Sequence, residues 1–467
     1  MRHSILIALL LVLNQFIYAA EPTNQPTSFS SSNIKPWQFT INFNVSSGGA
    51  TGYLILRGNQ AVSQIPTDGI EYKRGQALGN AKVFYAGNLT SIDIKECIAN
   101  TKYYFAIFAY NGSGASIDYK TNNPLVDSVT TTGSNIGNYY GNIKPSNLNF
   151  LSDLTAKLNN HIFMSYDDYE KKLVPDFYQR DTVVSGSDKG VVTCEYSGEI
   201  KTYTKPFDFA NTISLDYSRE HVLCKNWMNK RGIPNGDLIQ FPEGADYHNL
   251  MLTRTTNVNS QRSDYPYGKV INQTASYLNC KYGRDASNNF VFEPEDKSKG
   301  NGARCMFYEM VCYNGMMGNW GLDNLGGKAS SQDQAVLKSW HVTDQVDNFE
   351  IARHEYIFSL QNNRNPFIDY PSWADCINFR SITKLACAAQ ISSNRDERRL
   401  IDIISDIHES NIALQFNYDR VEQFELTVYD LQGAILYSKS IEFSIGQNNH
   451  IIRICKAFKR FVYFAFQ

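Results

Sequence analysis

The stretch Ile213-Ser214-Leu215-Asp216-Tyr217-Ser218-Arg219-Glu220-His221 decides how the centre of this chain is read. Ile213, Leu215 and Tyr217 alternate with Ser214, Asp216 and Ser218, the period-two pattern of a half-buried strand. The strand runs into a carboxylate and an imidazole side by side. Successive strand side chains point to opposite faces, so Glu220 and His221 serve one centre only if the strand ends or twists there. The Leu223–Asn235 segment that follows reads as a loop, which supplies that end.

Two further polar runs lie close by: Asp246-Tyr247-His248-Asn249-Leu250, and Asn257-Val258-Asn259-Ser260-Gln261-Arg262-Ser263-Asp264-Tyr265-Pro266-Tyr267-Gly268. A hard cation such as Mg²⁺ takes oxygen ligands, one or two of them from protein. Glu220 offers a carboxylate and Asn259 an amide oxygen, with Asn257 as the competing ligand. Neutral imidazole accepts a proton from water near neutral pH, which makes His221 a natural base. Arg262 follows Asn259 by three residues, one helical face, where a guanidinium could clamp phosphate. His248 reads as a core histidine bonded to Asp246. Between positions 219 and 269 seven cations face five anions. The whole chain of 467 residues carries a formal charge of only −2, so polyanion binding has to be local.

Outward from this centre, residues 135–375 mix helix and strand. Leu148, Leu151, Leu154 and Leu158 have helical spacing, and Ala303, Met306, Phe307, Met310 and Val311 predict a helix starting after Gly302. Residues 36–132 carry short alternating runs, among them Phe39, Ile41 and Phe43, and predict a β-sandwich. Residues 21–35 and 390–400 read as linkers, and 401–467 returns to strands. Residues 1–20 have a basic start, an apolar run from Ile5 to Ile17 and a small-residue exit, the pattern of a secretory signal peptide. In an exported chain disulfides are permitted, and nine cysteines leave at least one thiol unpaired within the chain.

Arg219-Glu220-His221, Asp246-x-His248-Asn249-Leu250 and Asn259-x-x-Arg262-Ser263-x-x-Pro266-Tyr267-Gly268 together resemble the endonuclease I family. So do Lys299–Tyr308 and the run Gln361-Asn362-Asn363-Arg364-Asn365-Pro366-Phe367-Ile368-Asp369. The resemblance implies an exported nuclease of low sequence specificity with a ββα-metal site. It implies His221 as general base, and Glu220 and Asn259 as ligands of one Mg²⁺, with Mn²⁺ or Ca²⁺ as substitutes. It also implies that Arg262 and Arg304 hold phosphate or support the site. DNA is the implied substrate, with RNA also open. This chain has Leu223-Cys224 where the family has Trp-Pro, and a longer segment from Leu250 to Asn259.

Asn100–Gly112 resembles the late strands of fibronectin type III domains. Phe424–Tyr437 resembles the C-terminal sorting domain of type IX secretion cargo, which implies that secretion machinery as a partner. The expected architecture is multidomain: an α+β ββα-metal nuclease core between a fibronectin type III-like sandwich and a small C-terminal β-sandwich. A surface binding protein on a weakened nuclease scaffold is the competing expectation. His354-Glu355 is not a zinc-protease H-E-x-x-H, because position 358 is Phe.

Overall fold

The computed structural model describes residues 19–181, 189–204, 216–228, 242–315, 321–322, 325 and 331–385, together with six strands beyond residue 403. The expected signal peptide, the 390–400 linker, Ile213 and Leu215 lie outside the described residues, apart from Ala19 and Ala20. The chain divides into two compact units, Met1–Ala389 and Gln390–Gln467.

The first unit begins with a sandwich. Strands β1 (Thr27–Ser32), β2 (Phe39–Asn44) and β5 (Ser91–Ile94) form one sheet, with β2 central. In the other, β3 (Gly52–Gly58) lies between β4 (Ala81–Gly87) and β6 (Lys102–Asn111), and β7 (Leu125–Thr130) pairs with β6. The alternation predicted from the sequence is the reason the sheets face each other. Phe39, Ile41, Tyr53, Ile55, Phe105 and Ile107 form a shared core. The neighbours Leu54, Leu56, Ala106 and Phe108 point the other way, into a second cluster with Tyr72 and Tyr119.

The mixed domain follows without a break in packing. Helices α1 (Phe150–Asn159) and α2 (Tyr166–Leu173) precede the antiparallel strands β8 (Lys189–Thr193) and β9 (Ile200–Thr204). Strands β10 (Tyr217–His221) and β11 (Leu250–Arg254) pair antiparallel, with Glu220 opposite Met251 and His221 opposite Leu250. A π-helical turn, Thr255–Asn259, and a short helix, Ser260–Arg262, come next. Strands β12 (Asn272–Tyr277), β13 (Cys280–Arg284) and β14 (Phe290–Glu293) form a meander, and helices α3 (Asp296–Cys312), α4 (Gln334–Thr343) and α5 (Asn348–Gln361) complete the domain.

Two helix expectations are corrected. Leu148 precedes α1 and is exposed, and Phe150 takes the buried place with Leu154 and Leu158. Helix α3 begins at Asp296, so Gly300 and Gly302 lie inside it. Both glycines mark close packing: a Cβ at Gly300 would sit 2.0 Å from the Asp344 carbonyl oxygen, and one at Gly302 would sit 2.6 Å from the Tyr267 ring.

Six cysteines (Cys97, Cys194, Cys224, Cys280, Cys305 and Cys312) are buried free thiols, while Cys376 is disulfide-bonded. No described helix is long and apolar enough to cross a membrane. In the second unit, β15 (Ile404–His408), β16 (Asn411–Tyr418) and β19 (Gly446–Arg453) form one three-stranded sheet. Strands β17 (Glu422–Tyr429), β18 (Ile435–Phe443) and β20 (Tyr463–Phe466) form another.

Sandwich and mixed domain share a joint. Trp37 belongs to the mixed domain's core and meets Tyr356 edge-on at 5.6 Å. Lys95 donates to the Pro175 carbonyl at 3.1 Å, and Arg180 pairs with Glu96 at 2.5 Å. Removing a buried indole costs about 3–5 kcal/mol. Trp37→Ala is therefore expected to separate the melting of the sandwich from that of the mixed domain in scanning calorimetry, where the parent melts them together.

Candidate active site

Strand β10 ends at His221, and the two residues at its end look in different directions. Ser218 and Glu220 face the helical segment that follows β11. Asn259 Nδ2 donates to Ser218 Oγ at 2.8 Å, which leaves the Asn259 amide oxygen as the group available to a ligand. Arg262 Nη1 donates to Glu220 Oε1 at 2.6 Å. Asn259 and Arg262 thus share one face, as their spacing predicts. Asn257 is bound through its main chain, its carbonyl accepting from the Tyr282 hydroxyl at 2.9 Å.

Arg262 is completely buried. Besides Glu220 it donates to the carbonyls of His221 and Val222, each at 2.8 Å, and its guanidinium lies 5.2 Å from the Tyr267 ring centroid. It fastens the end of the strand from inside. A phosphate clamp needs an exposed guanidinium, and this one has no exposed surface. Burial pushes the Glu220 carboxyl up to about 7, with Arg262 pulling the other way. The Glu220 carboxylate and the Asn259 amide oxygen left over by the Ser218 bond are oxygen donors of the kind a hard cation takes, and a cation at Glu220 would offset its desolvation.

Arg219 and His221 occupy the opposite face. The His221 ring stacks on Tyr166 at 5.2 Å and 13°, and Nε2 lies 2.7 Å from the Gly244 carbonyl oxygen. A carbonyl only accepts, so Nε2 carries the proton and Nδ1 keeps the lone pair. Burial lowers the imidazole to about 4, helped by Lys225, Arg219 and Arg262 and opposed by the Gly244 bond, so the ring is neutral at neutral pH. This is the protonation state that a general base requires.

The Asp246–Leu250 run supplies the frame. Asn249 holds the chain just past His221: its carbonyl accepts from Val222 N at 2.9 Å, and its side chain accepts from Leu223 N at 2.7 Å. Asp246 is buried and accepts from Tyr308 (2.7 Å), Tyr313 (2.8 Å), Gln361 (2.8 Å) and His248 N (2.9 Å). It follows the short helix Pro242–Ala245 and so fixes the Gly244 carbonyl. His248 is a core histidine, but its main chain, not its ring, donates to Asp246; the ring lies 4.6 Å from that of Tyr308, tilted by 53°.

Arg304 lies in a separate network. It is fully buried on α3 and donates to Glu350 (2.6 Å), the Asp344 carbonyl (2.8 Å) and Asn301 (2.9 Å), which ties α3 to α4 and α5. The structure therefore brings Glu220, His221, Asn259 and Arg262 together and gives Arg304 a structural partner instead of an open face. Arg364, from the terminal signature, is likewise committed to Asp369 (2.7 Å) and Glu355 (2.8 Å), and His354 to Asp369 (3.2 Å). Ser218, Gly244 and Tyr166 were not singled out from the sequence for these roles. Ser218 carries a parity signal, two residues before Glu220, whereas Tyr166 carries none.

Removing one partner of a buried ion pair costs about 3–5 kcal/mol, whereas replacing both with apolar groups is often neutral. Arg262→Met is accordingly expected to lower stability in urea by that amount, and Arg262→Met with Glu220→Leu to recover most of it.

Residues 148–372 match the family model described as Endonuclease I. The extracellular ribonuclease of Bacillus subtilis is 35% identical over 167 residues, 34% of this chain and 53% of the relative. Endonuclease-1 of Buchnera aphidicola subsp. Acyrthosiphon pisum is 27% identical over 124 residues, 27% of this chain and 44% of the relative. The chain thus spans about half the length of the curated relatives it matches. A solved human fibronectin type III domain is 14% identical, covering 24% of this chain and 76% of that one, at a TM-score of 0.18. The segment that builds the whole Glu220–His221–Asn259–Arg262 arrangement is the segment that is similar to the Endonuclease I family.

Proposed function

We propose that this chain is an exported, metal-dependent endonuclease that hydrolyses phosphodiester bonds of DNA, and of RNA, with little sequence preference. The observation that carries the reading is the His221 imidazole at the end of the strand that also holds Glu220, its Nε2 engaged by the Gly244 carbonyl so that Nδ1 keeps the lone pair. His221 Nδ1 takes the proton from the attacking water. Glu220 and Asn259 would hold one Mg²⁺, with Mn²⁺ or Ca²⁺ as substitutes, and β10, β11 and the Thr255–Arg262 segment would supply the ββα-metal frame. When bound, the ion supplies positive charge to the phosphate and the departing 3′ oxygen. Arg262 keeps Glu220 and the strand end in place.

Low sequence preference follows from recognition of the phosphate backbone, which carries no base information. Export is supported by the similarity to the extracellular ribonucleases of Bacillus and by the N-terminal pattern. The second unit, with its two three-stranded sheets, is proposed as the sorting domain for type IX secretion.

A plasmid-nicking assay at low salt tests the reading. The mature protein is expected to nick and then linearise plasmid in Mg²⁺ and to stop in EDTA. His221→Ala is expected to lose about 10²–10⁴-fold in rate, the worth of a positioned base. Asn259→Ala should raise the Mg²⁺ concentration needed for half-maximal rate, and Asn257→Ala should leave it unchanged. An Asn257→Ala variant with the larger effect would move the ligand register by two residues. An inert parent protein across divalent ions would sink the proposal.

A further inference from the structure

Tyr166 opens α2 and reaches across to β10, where it contacts both side chains on the face away from Glu220. Its ring touches both. The Arg219 guanidinium sits 3.7 Å from the ring centroid, and the His221 imidazole is stacked at 5.2 Å and 13°. Arg219 and His221 are two residues apart on the strand, which puts them on one face, where a single ring reaches both. The outer end of this stack is itself tied down. Arg219 donates to the Tyr166 carbonyl at 2.9 Å and pairs with Asp167 at 3.1 Å and Glu170 at 2.8 Å, all on the first turns of α2. Helix α2 is seated by buried Tyr169 and Leu173 and capped by Ser165, whose side chain accepts from Asp167 N.

We propose that Tyr166 is a positioning residue for His221: its ring fixes the plane of the imidazole, while the Gly244 carbonyl fixes the direction of the Nε2–H bond. The inference rests on His221 being the base. A single hydrogen bond leaves an imidazole free to swing about the N–H···O axis, which sweeps Nδ1 through an arc. A parallel ring packed against one face removes that freedom, so Nδ1 points at one spot. The phenol takes no proton: burial pushes it up to about 12, and its hydroxyl donates to the Arg219 carbonyl at 3.4 Å, away from Nδ1. The flat face is therefore the working part, and Phe should serve in place of Tyr.

The experiment compares Tyr166→Phe and Tyr166→Leu with the full-length parent in two readouts. The first is steady-state cleavage of a short oligonucleotide in Mg²⁺. Tyr166→Leu is expected to lower kcat by about 10–100-fold, the scale of a misplaced catalytic group, with KM within about twofold, whereas Tyr166→Phe stays near the parent. The second readout does not depend on activity. In ¹⁵N-detected imidazole spectra, with the His221 signals assigned by their loss in His221→Ala, parent and Tyr166→Phe should show the Nε2–H tautomer alone. Tyr166→Leu should keep that tautomer, which the Gly244 carbonyl sets, but show lowered ¹³C order parameters for the His221 ring, which parent and Tyr166→Phe keep high. Should Tyr166→Leu fold poorly, Arg219→Met removes the outer face of the stack and is expected to shift kcat in the same direction by a smaller factor. Parent-like kcat and parent-like order of the His221 ring in Tyr166→Leu would overturn the proposal. Equal losses in the Phe and Leu variants would overturn it as well, by making the hydroxyl the active part. If the parent cuts nothing while the order of the imidazole still depends on the Tyr166 ring, the endonuclease reading fails and the positioning role stands.

Discussion

A guanidinium with no exposed surface holds the site together. Arg262 donates to one carboxylate oxygen and two consecutive main-chain carbonyls, so it reads both the side chain of Glu220 and the path of the chain beyond it. Charge-assisted bonds of this kind are stronger than neutral ones, and the planar fork of arginine makes them directional. A strand end is normally a frayed place. Here it is fastened on one side by Arg262 and on the other by Asn249, which engages the main chain of both Val222 and Leu223. Two adjacent residues can then face opposite ways and still keep fixed positions.

Behind this first layer lies a second. Asp246 collects two tyrosine hydroxyls, a glutamine amide and a main-chain N–H, and its chain neighbour segment delivers the Gly244 carbonyl to His221. Tyr308 and Tyr313 come from the end of α3 and just beyond it, and Gln361 from the end of α5. The orientation of one imidazole is thereby referred to the packing of helices distant in sequence. Sites built this way keep their geometry because the supporting side chains are themselves locked.

The parts of this arrangement that sequence could reveal are those carried by local chemistry. Glu220, His221, Asn259 and Arg262 stand out because a carboxylate, an imidazole, an amide and a cation recur at short spacing. The parity of the strand correctly sets Glu220 and His221 on opposite faces. What sequence cannot carry is burial. Arg262 and Arg304 look like surface cations in a linear reading, and only the packed structure shows them paired with Glu220 and Glu350. Gly300 and Gly302 look like a helix boundary and are points of close approach inside one. Tyr166 lies far upstream of His221 and has no spacing to betray it.

Buried charges recur across the mixed domain: Arg262 with Glu220, Arg304 with Glu350, and Arg364 with Asp369 and Glu355. Each arginine is sealed from water, so each depends on its carboxylates being present, and they on it. This constrains how such a chain can drift. A lone substitution at any of these positions leaves an orphaned ion inside the protein, whereas a coordinated exchange of both partners crosses to another workable interior. Neutral wandering is therefore closed to these sites one residue at a time, while the exposed loops around them remain free to vary.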